Sequence, residues 1–391
     1  MYSRRFSNGI YNFNQRAGRR TSLRSKVIVL ILVFLLTHLF LRYFFPSDER
    51  LYVYYNVDEL KIEKSINNPT FALIVSYQRA GFALISGLLS HADESFYIPE
   101  PLQILLPHGY YKENMVCFEN STYRRPTSLA ERYDFMITAI HRLFTCQCSK
   151  LHPLSKALLV KSTLTVYKKI IYKHCHSVHS ASIPNCIEEL EELCKSKSHR
   201  IITTERSSME NVIDMMEYWP NLKVVHIIRD PRGMVHSRLK VGQDFQLAFN
   251  LENHANELCS RMYEDVKFSW YMQRKFNDRI SAVSYEAFVE SPYSGTSFLY
   301  DFLNMLYTDK VWYRVYHSTH EKEEVGWSYN STRVAYSWRT HLEFQTVKII
   351  DHSCHDMYRV YGYDEMTSAA ELQNQSVPTR HKVQFNLKGF L

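Results

Sequence analysis

Four short apolar runs, each followed by a helical pattern, constrain this chain more than any other feature. They are Phe71–Ser76 (FALIVS), Arg200–Thr204 (RIITT), Lys223–Ile228 (KVVHII) and Arg279–Ser284 (RISAVS). Runs this short and this continuously apolar read as strands buried on both faces. Helical periodicity is expected over Leu129–Phe144, Ile187–Cys194, Met209–Tyr218, Leu251–Phe276 and Thr296–Leu306, and from Gly81 to about Ser90. Strands alternating with helices imply an α/β fold, a three-layer domain on a parallel sheet with flanking helices. Ligands of such sheets bind at the carboxyl ends of the strands.

The net charge of +7 invites a nucleic-acid reading, which its distribution removes. Residues 1–26 hold seven basic residues and no acid; subtracting them from 47 leaves 40 basics against 40 acids elsewhere. The excess belongs to a tail, and no nucleic-acid partner is implied. Val27–Phe45 follows as the longest apolar run, and a helix of that length spans ~28 Å, close to the ~30 Å hydrocarbon core of a bilayer. No small-x-small cleavage pattern follows it, so an uncleaved signal-anchor is expected rather than a signal peptide. Basic residues on its N-terminal side place residues 1–26 in the cytosol by the positive-inside rule. The expected order is then a lumenal stem over 46–69, a globular domain over 70–363 with a cysteine-rich insertion over 110–197, and a loose polar tail over 364–391.

All eight cysteines (117, 146, 148, 175, 186, 194, 259 and 354) follow that run, and an even number in an oxidising lumen suggests disulfides without specifying the pairing. Cys146-x-Cys148 and His174-Cys175-His176 lack the spacing of a zinc knuckle, so no metal is expected. Sequons at Asn120, Asn330 and Asn374 suit the same compartment.

The chemistry concentrates in Lys223–Lys240, KVVHIIRDPRGMVHSRLK. A buried strand ends at Arg229, Asp230-Pro231 turns the chain, and a helix opens near Pro231 or Arg232. Arg229 therefore meets a helix N-terminus whose free N–H groups attract anions, and Ser237 lies along that helix. These residues read as a phosphate or sulfate site; an Arg–Asp pair closing a strand–helix turn is the alternative.

The segment RDPRG-x-x-x-S resembles the 3′-phosphate motif of sulfotransferases that use 3′-phosphoadenosine 5′-phosphosulfate. ERSSMENVIDMMEYWPNLKVVHIIRDPRG, LCSRMYEDVKFSW, VSYEAFVESP and WRTHLEFQTVKIIDHSCHDMYRVYGY resemble the Golgi sugar 6-O-sulfotransferases in order and spacing. The resemblance implies a P-loop-like sulfotransferase fold. Arg229 and Ser237 would hold the 3′-phosphate within Arg229-Asp230-Pro231-Arg232. The loop Arg79-Ala80-Gly81-Phe82-Ala83-Leu84 would cradle the 5′-phosphosulfate, and Glu100 would act as base toward a sugar hydroxyl. It also implies a glycan or proteoglycan acceptor, leaves a homo-oligomer open, and requires no metal.

The loop departs from the family's Arg-Ser-Gly-Ser-Ser/Thr pattern: the three hydroxyl positions are Ala80, Phe82 and Ala83. At roughly 1.5–3 kcal/mol per hydrogen bond to a charged group, their loss approaches ~5 kcal/mol. An active enzyme and a catalytically silent relative that binds glycan or a partner are both compatible with this. Tyr285-Glu286 matches the family's Tyr-Glu-Asp with Ala287 in place of Asp and suggests a structural role. Arg206 is expected at the rim, as a surface residue or a contact to acceptor or cofactor.

Overall fold

Each residue of TFALIV is apolar or β-branched because the strand it forms, β1 (Thr70–Val75), has a core on each side. Ala72 and Ile74 enter one core, and Phe71, Leu73 and Val75 enter the other. The computed structural model describes residues 69–103, 116–117, 123–125, 129–161, 183–241, 250–320, 330–381 and 387–391. The tail, apolar run and stem expected before residue 69 lie outside the described residues, as do Asn120 and His174-Cys175-His176. Among the described residues no helix is long and apolar enough to cross a membrane.

The remaining strands are β2 (Ser95–Pro99), a two-residue hairpin of β3 (Val116–Cys117) and β4 (Tyr123–Arg124), β5 (His199–Thr204), β6 (Leu222–Ile228), β7 (Ile280–Ser284) and β8 (Gly389–Phe390). Six of them form one sheet in the order β2-β5-β1-β6-β7-β8, and every pairing in it is parallel. Parallel strands need crossovers, and helices supply them on both faces.

On the first face α1 (Phe82–Leu89) packs against β1. The second face is covered by α2 (Leu129–Phe144), α3 (Ile183–Lys195) and α4 (Met209–Tyr218). α5 (Pro231–Val241), α6 (Leu251–Lys275), α7 (Tyr285–Glu290) and α8 (Pro292–Phe302) complete the first face.

Within the cysteine-rich insertion expected over 110–197, the described residues Ile140, Leu143, Ile187 and Leu190 sit in the same core as Phe71 and Leu73. A disulfide, Cys146–Cys194, ties α2's end to α3, which also removes Cys146 from any metal pair, while Cys148 is a buried free thiol. Another disulfide among the described residues, Cys259–Cys354, joins α6 to the end of α9 (Phe344–Ser353).

The polar C-terminal stretch is not loose. Arg339 donates to the carbonyls of Leu372, Glu371 and Val377 at 2.7–3.0 Å, and the chain's last residues form β8 beside β7. Its anchors come from remote elements, so no local pattern announces them.

Candidate active site

Parallel topology puts the carboxyl ends of neighbouring strands at one edge, and five strands deliver a polar segment there. Tyr77–Gly81 follows β1, Glu100 follows β2, Glu205-Arg206 follows β5, Arg229 follows β6 and Tyr285 follows β7.

The β1–α1 loop turns sharply, with Ala80 N–H bonded to the Tyr77 carbonyl at 2.9 Å. Arg79 and Gly81 both hold left-handed backbone, with φ of 70° and 89°. Gly81 is obligatory there, since a Cβ would lie 2.1 Å from the Tyr285 ring. The N-terminus of α1 carries no side-chain cap, so its first N–H groups remain available to an anion. Ala80 is buried in the first core, while Phe82 and Leu84 pack against that core and Ala83 is exposed. The side chains that replace the hydroxyls therefore pack or face solvent. Ser76, at the start of the loop, retains a buried hydroxyl with no hydrogen-bond partner.

Arg229 and Ser237 converge on this loop. Arg79 Nε donates to Ser237 Oγ at 2.9 Å, and Arg229 Nη1 donates to the Arg79 carbonyl at 2.7 Å. Arg238, one residue on, donates to the Gln78 carbonyl at 3.1 Å. The Arg229 guanidinium lies 4.5 Å from the centre of the Tyr285 ring, and its Nε is buried with no hydrogen-bond partner. Gly233 makes room for it: a Cβ there would stand 3.2 Å from that Nε.

Asp230, Pro231 and Arg232 take a different place from the one the motif implies. Pro231 opens α5, while Asp230 pairs with Arg232 at 2.8 Å and Arg232 is fully buried. Arg232 also bonds Asp351 at 3.3 Å and the Asp364 carbonyl at 2.7 Å. Its guanidinium lies 4.2 Å from the Trp338 ring centre and 5.0 Å from that of Tyr358. Every face of it is occupied, so it braces the C-terminal helices and offers nothing to a ligand.

Glu100 sits 8% exposed at the end of β2 with a φ of 43°, left-handed backbone that a non-glycine residue adopts at some strain. Its Oε2 accepts from Arg206 Nη1 at 2.5 Å, and its Oε1 accepts the backbone N–H of Glu205. Burial and the neighbouring Glu205 carboxyl hold Glu100 well above the usual carboxylate range, against the opposing pull of Arg206. Arg206 therefore belongs to Glu100 rather than to open surface.

Sequence reasoning missed two contributors. Glu205, just past β5, donates its backbone N–H to Glu100, and burial raises its carboxyl against the pull of Arg206, Arg238 and Arg79. Beneath the loop, Tyr77 Oη lies 2.8 Å from His226 Nε2 and donates to Asp265 at 3.0 Å. Arg261 joins Asp265 at 3.2 Å and donates to the carbonyls of Glu205 and Ser207 at 3.2 and 2.7 Å. Through α6, this buried network fixes the loops after β1 and β5 relative to each other. A polar residue inside an apolar strand, His226, was its one visible trace.

Among the described residues no group of three or more His, Cys, Asp or Glu is placed to hold a metal ion. Residues 73–309 match the family model described as "Sulfotransferase family". Carbohydrate sulfotransferase 1 of Rattus norvegicus is 22% identical over 352 residues, covering 80% of this chain and 84% of the relative. The protein of that name from Danio rerio is 23% identical over 355 residues, with 79% and 81% covered. Carbohydrate sulfotransferase 3 of Mus musculus is 20% identical over 343 residues, with 78% and 70% covered.

Proposed function

The chain belongs to the sulfotransferase family, and from that premise we propose that it moves the sulfuryl group of 3′-phosphoadenosine 5′-phosphosulfate to a sugar hydroxyl, the 6-hydroxyl, of a glycan or proteoglycan. The curated relatives are named as carbohydrate sulfotransferases, which supports a sugar acceptor. The observation that carries the reading is Arg229, whose buried Nε is orphaned while its Nη1 is tied to the loop that begins at Arg79. A buried unpaired guanidinium nitrogen is costly unless an anion completes it.

In this reading Arg229 and Ser237 bind the 3′-phosphate, and Arg79 with the N-terminus of α1 binds the 5′-phosphosulfate. The donor supplies an activated sulfuryl group on a phosphate leaving group. The residues neutralise charge on both anions and hold them in line with the acceptor. Glu100 takes the proton of the attacking hydroxyl, and its raised proton affinity makes it a stronger base once ionised. We place this chemistry in the Golgi lumen, behind an anchor at Val27–Phe45. The disulfides Cys146–Cys194 and Cys259–Cys354 and the exposed sequon residues Asn330 and Asn374 support an oxidising, secretory compartment.

The test is retention of the full-length chain on immobilised adenosine 3′,5′-bisphosphate, followed by radiolabelled sulfate transfer to galactose-, N-acetylglucosamine- and N-acetylgalactosamine-containing glycans. Retention lost in Arg229→Ala, with transfer lost in Glu100→Ala, supports the reading. Retention without transfer to any acceptor identifies a silent relative, which the missing hydroxyls at Ala80, Phe82 and Ala83 would then explain. Absence of retention removes the donor from the account.

A further inference from the structure

The sheet has a second edge, and the chain enters the fold there. In a parallel sheet the crossover helix ends where the next strand begins, so the C-terminal ends of α4 and α6 lie beside the starts of β6 and β7. β1 opens on the same edge. Phe71 N–H donates to the Asn221 carbonyl at 3.2 Å, and Asn221 Nδ2 donates to the Pro69 carbonyl. Arg279, just before β7, ties this edge together by donating to the carbonyls of Met216, Trp219 and Pro220 at 3.0, 3.0 and 3.2 Å. The anion site occupies the opposite ends of the strands, about 20 Å away along a strand of six residues.

Three large aromatic side chains are exposed on the entry edge. Tyr218 ends α4 and is 69% exposed, while Trp270 and Tyr271, near the end of α6, are 39% and 49% exposed. They form one patch. Lys275 on α6 pairs with Glu217 on α4 and so joins the two helix ends. The Arg274 guanidinium lies 5.1 Å from the centre of the Trp270 ring. The Tyr218 ring stands edge-on to Trp219 at 5.3 Å, and Trp219 meets Phe71 of β1 at 6.3 Å. The patch therefore adjoins the point where the chain enters.

We propose that this edge is a docking surface for a zwitterionic lipid bilayer, on which the domain rests with its anion site turned away from the membrane. The inference rests on the anchor at Val27–Phe45 proposed above. Only residues 46–68 separate that run from Pro69. A linker this short holds its ends at an effective concentration in the millimolar range, so a weak surface affinity is enough to keep the face on the bilayer. The composition of the patch matches that occupant. Tyr and Trp, each with an apolar body and a polar tip, concentrate at the level of lipid headgroups. Their ring faces attract the quaternary ammonium of a choline headgroup, and Arg274 is the donor beside them for its phosphate. Lys275 is offset by Glu217, and Asp278 adjoins Arg279 in the chain. The patch thus lacks the basic cluster that an acidic lipid would require.

The experiment places the full-length protein in phosphatidylcholine nanodiscs, with and without a nitroxide on the lipid headgroup, and reads tryptophan fluorescence. All five tryptophans follow residue 200 and none lies in Val27–Phe45, so the signal comes from the folded domain. Thermal midpoints confirm that each variant is folded. The expected result is nitroxide quenching in the natural sequence that falls severalfold in Trp270→Phe. Trp312→Phe, which removes an exposed tryptophan stacked on Tyr293 instead, should keep it. The double variant Tyr218→Ser with Tyr271→Ser retains Trp270 but weakens docking, and should also lower the quenching. No quenching in the natural sequence, or undiminished quenching in Trp270→Phe, overturns the inference; resistance of the protein to alkaline extraction then leaves the anchor reading intact. Dimers that the double variant dissolves, without quenching, identify a second copy as the occupant and likewise overturn it. Protein that fails to enter the discs overturns the anchor reading. Phosphatidylcholine vesicles then test the face directly: binding lost in the double variant supports the docking surface, and absence of binding overturns both.

Discussion

Arg229 donates through Nη1 to the main-chain carbonyl of Arg79 at 2.7 Å, so the two halves of the anion site meet at one backbone atom. A side chain that would hold one phosphate thereby sets the backbone that would hold the other. Arg229→Lys keeps the charge but loses the planar fork that spans the Arg79 carbonyl and the ligand. It should weaken bisphosphate binding about 100-fold, the effect of roughly 3 kcal/mol from a charge-assisted pair. Ser237→Ala, which removes only the hydroxyl that Arg79 Nε contacts at 2.9 Å, should weaken it about tenfold. Calorimetric titration of both variants checks the ranking.

Glu100 can accept a proton only when ionised, and burial with Glu205 nearby places its ionisation above the ordinary carboxylate range. The rate of sulfate transfer should therefore climb with pH through a range higher than an exposed glutamate would give. Arg206 pulls in the opposite direction, so Arg206→Met should move that rising limb to still higher pH. Glu100→Gln should lower kcat by a factor of about 100 to 10,000, the usual worth of a general base, with bisphosphate affinity kept. A pH profile of kcat for the three proteins separates proton transfer from donor binding.

Much of the scaffold was readable because a buried parallel strand leaves an unmistakable run. Phe71–Ser76, Arg200–Thr204, Lys223–Ile228 and Arg279–Ser284 each fall within one residue of a strand end. The strand β2 hid inside SFYIPEP, where two prolines mask a run of only five residues. At the site, Arg229, Ser237, Arg79 and Glu100 were readable because the chain places each just past a strand or along the helix that follows. Asp230 and Arg232 were misplaced, because a motif written in one dimension cannot say that Trp338, Asp351 and Tyr358 close around Arg232 from more than 100 residues away. Glu205 was passed over because a carboxylate looks wrong beside an anion site, until its partners are seen.

His226 makes stability depend on pH with a definite sign. Burial, with the charge of Arg261 added, drives it down to about 3, below its ordinary value of about 6.5. Between those values the unfolded chain binds the proton and the folded chain does not, so acid favours unfolding. From pH 6.5 downward this one residue should remove about 1.4 kcal/mol of stability per pH unit. His226→Gln, whose amide can still meet Tyr77 or Ser269, should lower stability at pH 7.5 yet flatten that acid slope. Chemical denaturation at half-unit intervals from pH 7.5 to 4.5 reads the slope directly.

Gly389 permits the chain's end to close the sheet. A Cβ there would lie 1.9 Å from the Ala282 carbonyl oxygen and 2.7 Å from its carbon, both main-chain atoms that cannot rotate away. Gly389→Ala should therefore expel β8 rather than distort β7, whose own strand is fixed on its other side by β6. Expulsion strips Phe390 from the face of Gly295 and Phe298 and breaks the paired bonds between Gln273 and Lys388 at 2.7 Å. Overpacking of this kind costs about 1–3 kcal/mol, and the substitution should lower the thermal midpoint by several degrees. The anion site draws on the carboxyl ends of β1, β2, β5, β6 and β7, whereas β8 lies at the far edge of the sheet and pairs with β7 at Ala282 and Val283. Bisphosphate affinity at 25 °C should therefore stay within about twofold of the natural sequence, and a larger loss would mean that the tail supports the site as well as the sheet.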